Sequence, residues 1–427
     1  MGDQRGGQAG DHTGDGGGRG HGARPARVVN RPAAAPLLAA PRTAQAARVR
    51  VPATSANLGP GFDACGLALG LYDELTVTVT GAGLSIEVTG EDDGVRDETH
   101  LVVRALRAGF AAAGTTPAGI RLNCVNRIPH GRGLGSSAAA IVGGLLAASA
   151  LGGGRPDIPE VFALACRLEG HPDNVAAALY GGFTIAWHDG DGPPRVARTD
   201  PPEDLRPVVF VPTRRQSTAQ SRVALPAGVP HADAAMSAGR AALLAMAMSG
   251  GPRPRSGGAG TAAVASPGTP GPENNDRAAA GPGNGRRRGD GQNGGQNGYA
   301  GLVDDRLAGF STGRPAGNQT GSQTGKQVGN QHVRPGAVSW RDALLAAVDD
   351  RLHQPYRLPS MPETSDLLAR LRAAGLAAVL SGSGPTVLAL AVDQDQAALA
   401  RTCTGSDFSV FDLPVDRDGA RVELVVG

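Results

Sequence analysis

Residues 128–142, IPHGRGLGSSAAAIV, place glycines and other small residues directly before an alanine-rich helical stretch, with Ser136 and Ser137 at the junction. A glycine-rich turn lets the backbone come close to a bound group, and the first-turn amides of the following helix have no partner inside it. Those amides and the positive end of the helix dipole suit an anion, and a serine hydroxyl there can reach a phosphate oxygen or its metal ion. A plain loop leading into a core helix is the competing reading of this stretch. GRGLGSS is not a P-loop, since it lacks the terminal Gly-Lys-Ser/Thr, nor a dinucleotide fingerprint with its three-glycine spacing.

The 427 residues suffice for two domains if all of them fold, but 65 glycines and 32 prolines lie mostly outside the apolar stretches. Residues 1–46 are rich in Gly, Ala and Pro, and 251–337 carry repeats such as GQNGGQNG with little that is apolar. Both are expected to be disordered, because they cannot bury enough surface to offset the entropy of ordering. The expected domains are therefore 47–205, holding the anion loop, and 206–427, interrupted by an insertion at 251–337. A net charge of +2, with no basic stripe interleaved with aromatics, gives no footprint for nucleic acid. No apolar run is long enough to span a bilayer or act as a signal peptide, so no membrane partner is expected. The cysteines at 65, 124, 166 and 403 lack ligand-like spacing and read as reduced thiols, which together with the missing signal points to the cytoplasm.

Around the anion loop, β-branched runs at 72–80 and 84–89 flank a Gly-Ala-Gly turn and read as a hairpin, preceded by a long loop over 52–62. A helix is expected over 100–113 and a strand over 119–125, feeding the anion loop. Helix 159–168 ends at Glu169-Gly170, and Asp173 reads as the cap of the turn at 174–179. Glu169, His171, Asp173 and Asn174 thus crowd between two apolar helices, and a carboxylate beside a phosphate loop is what a magnesium nucleotide needs. In the second half, strand 206–212 precedes a helix over 231–249, and helix 339–350 leads into DRLHQPYR, residues 350–357. There His353, Tyr356 and Arg357 stand around a proline, and Arg357 is a candidate carboxylate binder. SGSGPT, residues 381–386, is a second turn of small residues between strands 377–380 and 387–391.

Three of these stretches, PATSANLGPGFD at 52–63, PHGRGLGSSAAA at 129–140 and SGSGPT at 381–386, resemble the motifs of the GHMP small-molecule kinases in order and separation. EGHPDNVAAALYGG at 169–182 and DRLHQPYR resemble the homoserine kinases among them. The resemblance implies an α+β, two-domain fold, with an N-terminal α/β domain like ribosomal protein S5 and a ferredoxin-like C-terminal α/β domain. It also implies ATP-dependent phosphorylation of the side-chain hydroxyl of L-homoserine, in threonine biosynthesis.

Residue by residue, it implies that Pro129, His130, Gly131, Arg132, Gly133, Leu134, Gly135, Ser136 and Ser137 wrap the ATP phosphates. Ser137 and Glu169 would hold Mg²⁺, and Asn174 would lie by the reacting hydroxyl. Asn57, Asp63, His171, Thr218, Arg222 and Arg357 would form the homoserine pocket, with Asp63 near the ammonium and the arginines near the carboxylate. Lys326, the chain's only lysine, lies in the insertion, which excludes the Lys–Asp pair that some relatives use.

Other readings compete. A kinase for mevalonate or a sugar would not need Asp63 and two arginines together. A non-catalytic nucleotide-binding regulator would be expected to have lost parts of GRGLGSS or Glu169, and both are intact. Arg286-Arg287-Arg288 reads as solvated surface rather than a nucleic-acid contact. A homodimer is compatible with the sequence, which does not fix the oligomeric state.

Overall fold

The computed structural model describes residues 45–153, 156–216, 218–250 and 338–426. Residues 1–44 of the expected tail and the whole insertion lie outside the described residues, whereas Gln45 and Ala46, expected to end the disordered tail, begin strand β1 and pair with Val426 and Val425. In chain order the elements are β1 (Gln45–Ala56), β2 (Cys65–Thr80), β3 (Gly83–Gly90), α1 (Leu101–Ala112), β4 (Gly119–Asn126), α2 (Ser136–Leu151), α3 (Ile158–Glu169), α4 (Asp173–Tyr180), β5 (Phe183–His188), β6 (Pro194–Thr199) and β7 (Arg206–Pro212). They continue as α5 (Thr218–Val223), α6 (His231–Met248), α7 (Trp340–Ala347), α8 (Gln354–Arg357), α9 (Pro362–Ala373), β8 (Ala378–Leu380), β9 (Val387–Ala391), α10 (Gln394–Thr402), β10 (Phe408–Asp412) and β11 (Arg421–Val426).

The class is α+β. The larger sheet runs β11-β1-β2-β4-β3, with β5 pairing the start of β2 and β6 pairing β5. The hairpin expected from 72–80 and 84–89 does not form: β3 pairs in parallel with β4, which lies between it and β2. A parallel pair needs a crossover, and α1 supplies it between β3 and β4. Their β-branched composition identified both strands, but nothing in it names a strand's partner. Nor is 52–62 all loop. β1 runs on to Ala56, and its register against β2 shifts between Pro52 and Ala53, as expected where a proline cannot donate to the ladder.

Helix α2 is buried almost all round, from Ala138 to Leu151, because it is packed by α1, α3 and the sheet together. It is a core helix whose N-terminus opens on a pocket. A smaller antiparallel sheet, β10-β7-β9-β8, builds its own core from Val208, Phe210, Val387 and Ala389 against Leu367, Leu371 and Ala397 of α9 and α10. The last strand leaves this sheet and pairs antiparallel with β1 of the larger one. Among the described residues no helix is long and apolar enough to cross a membrane.

Candidate active site

The anion loop hangs from β4. Its base is fixed by Asp73, whose Oδ1 accepts from the amides of Arg127 at 2.7 Å and Ile128 at 2.9 Å. Gly135 precedes α2 with φ 70°, and a Cβ there would meet Thr54 Oγ1 at 1.9 Å, so only glycine fits. No side chain caps α2, and no acidic residue occupies its first turn. Among the described residues no side chain partners its leading amides, the arrangement that takes a phosphate.

The stretches at 52–63, 129–140 and 381–386 meet here. Ser381 Oγ donates to the Gly133 carbonyl at 2.7 Å, the Gly382 amide to Ala56 O at 3.0 Å, and Asn57 Nδ2 to Gly382 O at 2.9 Å. Asn57 Oδ1 in turn accepts from the Asp63 amide at 2.9 Å. The turn at 381–386 is thus a wedge that fixes the anion loop against the loop following β1. A Cβ at Gly133 would lie 2.3 Å from Ser381 O, which explains a glycine at the point of docking.

A cavity of about 180 Å³ opens between these loops, lined by Asn57, Asp63, the anion loop and the starts of α2 and α4, with Arg222 and Arg357 opposite. Along one wall the polar groups are linked. Ser137 Oγ donates to Glu169 Oε1 at 2.5 Å, His171 Nε2 lies 3.7 Å from that oxygen, and His171 Nδ1 lies 2.9 Å from Asp173 Oδ1. Asp173 also accepts from the Asn174 amide at 2.7 Å, and Thr54 Oγ1 donates to Asn174 Oδ1 at 2.7 Å, turning the Asn174 NH₂ to the other side. Burial pushes the Glu169 carboxyl up, and the Ser137 hydrogen bond and the nearby imidazole only partly counter it. For His171 burial acts downward, but Asp173 and Glu169 outweigh it and leave its pKa raised.

On the opposite side Arg222 donates to both oxygens of Asp63, at 2.8 and 3.1 Å, so the two charges expected to divide between the ends of a zwitterion pair with each other. Arg357 is buried and, among the described residues, has no carboxylate within 4.0 Å. Its contacts are His353 Nδ1 and the carbonyls of Gly382 and Ser221.

Twelve of the expected site residues line this cavity: Asn57, Asp63, Gly131, Gly133, Gly135, Ser136, Ser137, Glu169, His171, Asn174, Arg222 and Arg357. Pro129, His130, Arg132 and Leu134 do not. Leu134 is buried in the core and offers only its carbonyl, to Thr54 N at 3.0 Å. Arg132 donates to the carbonyls of Pro212, Thr213 and His130, tying the loop to the end of β7. His130 pairs with Asp93 and lines a neighbouring cavity of about 290 Å³. That cavity shares Gly131, Ser136 and Ser137 with the first and is walled by Val88, Val95, Leu101 and Val102. Thr218 begins α5, and its side chain lies outside the description.

Asp173, Thr54 and Ser383 escaped the sequence reading as site residues. Asp173 reads as a cap, yet Pro172 occupies the N-cap, and Asp173 is the first residue of α4 with its carboxylate on His171. Its signal was the crowding of acid and imidazole in EGHPDN. As for a metal, no group of three or more His, Cys, Asp and Glu among the described residues could hold one. Mg²⁺ keeps several waters and completes its shell with substrate phosphates, so one carboxylate and one hydroxyl beside a helix N-terminus suit it.

Comparison with known proteins decides the family. The model for the GHMP kinases N terminal domain matches residues 100–182, and that for the GHMP kinases C terminal matches 337–405. Homoserine kinase of Streptomyces avermitilis is 42% identical over 363 residues, covering 84% of this chain and 90% of that protein. The chain belongs to the homoserine kinase family. Homoserine kinase of Streptomyces coelicolor is likewise 42% identical, over 83% of this chain and 87% of its own. The crystal structure of homoserine kinase from Cytophaga hutchinsonii superposes with a TM-score of 0.62 at 21% identity, covering 88% of this chain and 97% of that one. The fold is accordingly the two-domain GHMP kinase fold, and the chain is an enzyme of the kinase class.

Proposed function

We propose that the protein transfers the γ-phosphoryl group of ATP to the side-chain hydroxyl of L-homoserine, giving O-phospho-L-homoserine and ADP, a step of threonine biosynthesis. The observation that carries this reading is one pocket holding a phosphate-binding helix end, the Ser137–Glu169 pair, and both signs of charge in Asp63, Arg222 and Arg357. In it the apolar neighbouring cavity takes the nucleoside, and the amides leading α2 take the phosphates. Mg²⁺, held by Ser137 and Glu169, would supply charge neutralisation on the β- and γ-phosphates. The substrate divides the Asp63–Arg222 pair, ammonium to Asp63 and carboxylate to Arg222 and Arg357. Asn174, oriented by Thr54, holds the attacking hydroxyl.

Phosphoryl transfer depends on in-line positioning and on neutralised equatorial oxygens more than on a strong base. With no lysine in the described residues, the proton leaves to water or to the phosphate itself. Mevalonate, having no ammonium, would offer Asp63 nothing in place of the Arg222 that its carboxylate draws away.

The test separates the substrate from the nucleotide. Arg222→Ala and Arg357→Ala are expected to weaken homoserine binding by on the order of 2–4 kcal/mol each and to leave titration with a nucleotide analogue unchanged. An equal fall in nucleotide affinity would place these arginines outside a homoserine site.

A further inference from the structure

DRLHQPYR places a second polar residue behind the pocket wall, in contact with Arg357, that the reading above leaves unused. His353 is fully buried, with Nδ1 3.1 Å from Arg357 Nη1 and Nε2 2.8 Å from the Gly59 carbonyl. A guanidinium can only donate, so Nδ1 must be bare; a carbonyl can only accept, so Nε2 must carry the hydrogen. The two contacts together demand one state of the ring, the neutral Nε2–H tautomer.

The surrounding residues hold it there. Asp350 caps the segment, its Oδ2 accepting from the amides of His353 and Gln354 and lying 3.5 Å from His353 Nε2. Gln354 Oε1 accepts from the Leu380 amide beside the wedge turn. The imidazole stacks on Phe62 at 5.4 Å, and Phe62 lies 5.5 Å from the Arg357 guanidinium. Arg357's other contacts, to Gly382 O and Ser221 O, are longer at 3.3 and 3.4 Å, so His353 is its closest partner.

We infer that His353 is a positioning residue for substrate binding: anchored to Gly59 through Nε2, it orients the Arg357 guanidinium from Nδ1 so that it meets the substrate carboxylate. This rests on reading Arg357 as a carboxylate ligand. Burial holds the imidazole down at about 4, with the Asp350 carboxylate opposing and the Arg357 charge assisting, so the acceptor survives across the neutral range.

Two substitutions dissect the ring. In His353→Asn the amide oxygen can stand near Nδ1 and accept from Arg357. In His353→Gln the amide NH₂ can reach as Nε2 does and donate to Gly59, leaving nothing at Nδ1. We expect His353→Gln to raise the KM for homoserine at least about tenfold, with kcat and the KM for ATP within about twofold, and His353→Asn to stay within about threefold of wild type. In an Arg357→Ala background, His353→Gln should add nothing further to the homoserine KM, a result that a purely structural role would not give. If His353→Gln does not fold, His353→Ala replaces it with the same expectation. Equal effects of Asn and Gln, an effect persisting without Arg357, or no effect of Gln in a wild type that turns over homoserine would overturn the inference. Failure of the wild type itself to phosphorylate homoserine would instead overturn the function on which it rests.

Discussion

Ser137 in the first turn of α2 donates a 2.5 Å hydrogen bond to Glu169, the last residue of α3. These helices are packed side by side, so the end of one presents a carboxylate to the start of the other, the proposed phosphate site. This contact connects the buried all-apolar packing of α2 to chemistry: the helix is rigid because its sides are in the core, and only its N-terminus faces the pocket.

Glu169→Gln is expected to lower kcat by about a hundredfold or more, and Ser137→Ala to raise the half-saturating Mg²⁺ concentration by about tenfold. Because burial raises the Glu169 carboxyl, its proton competes with metal at a higher pH than for an ordinary carboxylate. Activity should therefore fall on acidification, and added Mg²⁺ should shift that fall to lower pH. ADP release over a grid of pH and Mg²⁺ checks this; an acid limb unmoved by Mg²⁺ would remove Glu169 as a metal ligand.

Gly133→Ala should cost roughly 2–4 kcal/mol, since its φ is 77° and the new Cβ would collide with the Ser381 and Gly384 carbonyls. Gly131→Ala, where a Cβ finds no atom closer than 3.6 Å, should cost only about 1 kcal/mol of backbone strain. Denaturant melts of both variants provide the comparison, and equal losses would mean that the wedge turn does not bear on the loop at Gly133.

Asp173→Asn should lower the His171 pKa, because the hydrogen bond and charge of Asp173 are the largest influences raising it against burial. An NMR titration of the imidazole is expected to show a midpoint lower than in the wild type. An unchanged midpoint would show that Glu169 alone holds the imidazole charged.

Stability should also report on His353. Its folded pKa, about 4, lies below the ordinary 6.5, so its contribution is complete above pH 6.5. Between those values the unfolded chain takes up a proton that the folded chain refuses, and stability falls as pH falls. Wild type should thus lose melting temperature more steeply than His353→Asn between pH 6.5 and 4. Parallel curves would mean that the imidazole is not held neutral.

Much of this was legible in the chain because short-range chemistry wrote it. GRGLGSS announced a turn into a helix, and helices α3 and α6 and strands β4 and β9 follow from periodicity and punctuation. What periodicity cannot encode is partnership. β3 was readable as a strand but not as the parallel neighbour of β4, and nothing local shows that the last strand, β11, joins β1 of the larger sheet. Within the site, Asp173 looked like a cap because the local rule for Asp before a helix is strong. Its role as partner to His171 depends on a side-chain direction that only the fold sets. Likewise the small residues of SGSGPT gave no hint that they would wedge between Asn57 and Gly133, a contact made across 248 positions of sequence by Ser381.

The most direct test of the central claim is ADP release, with phosphorus NMR of the product, from ATP and Mg²⁺ against L-homoserine, L-serine, L-threonine, mevalonate and galactose. The account predicts a phosphate ester on the homoserine hydroxyl. Serine and threonine, which shorten or branch the reach to the γ-phosphate, should be slower by about a hundredfold, the usual cost of a misplacement near 1 Å. A phosphate ester formed on mevalonate or galactose but not on homoserine would contradict it.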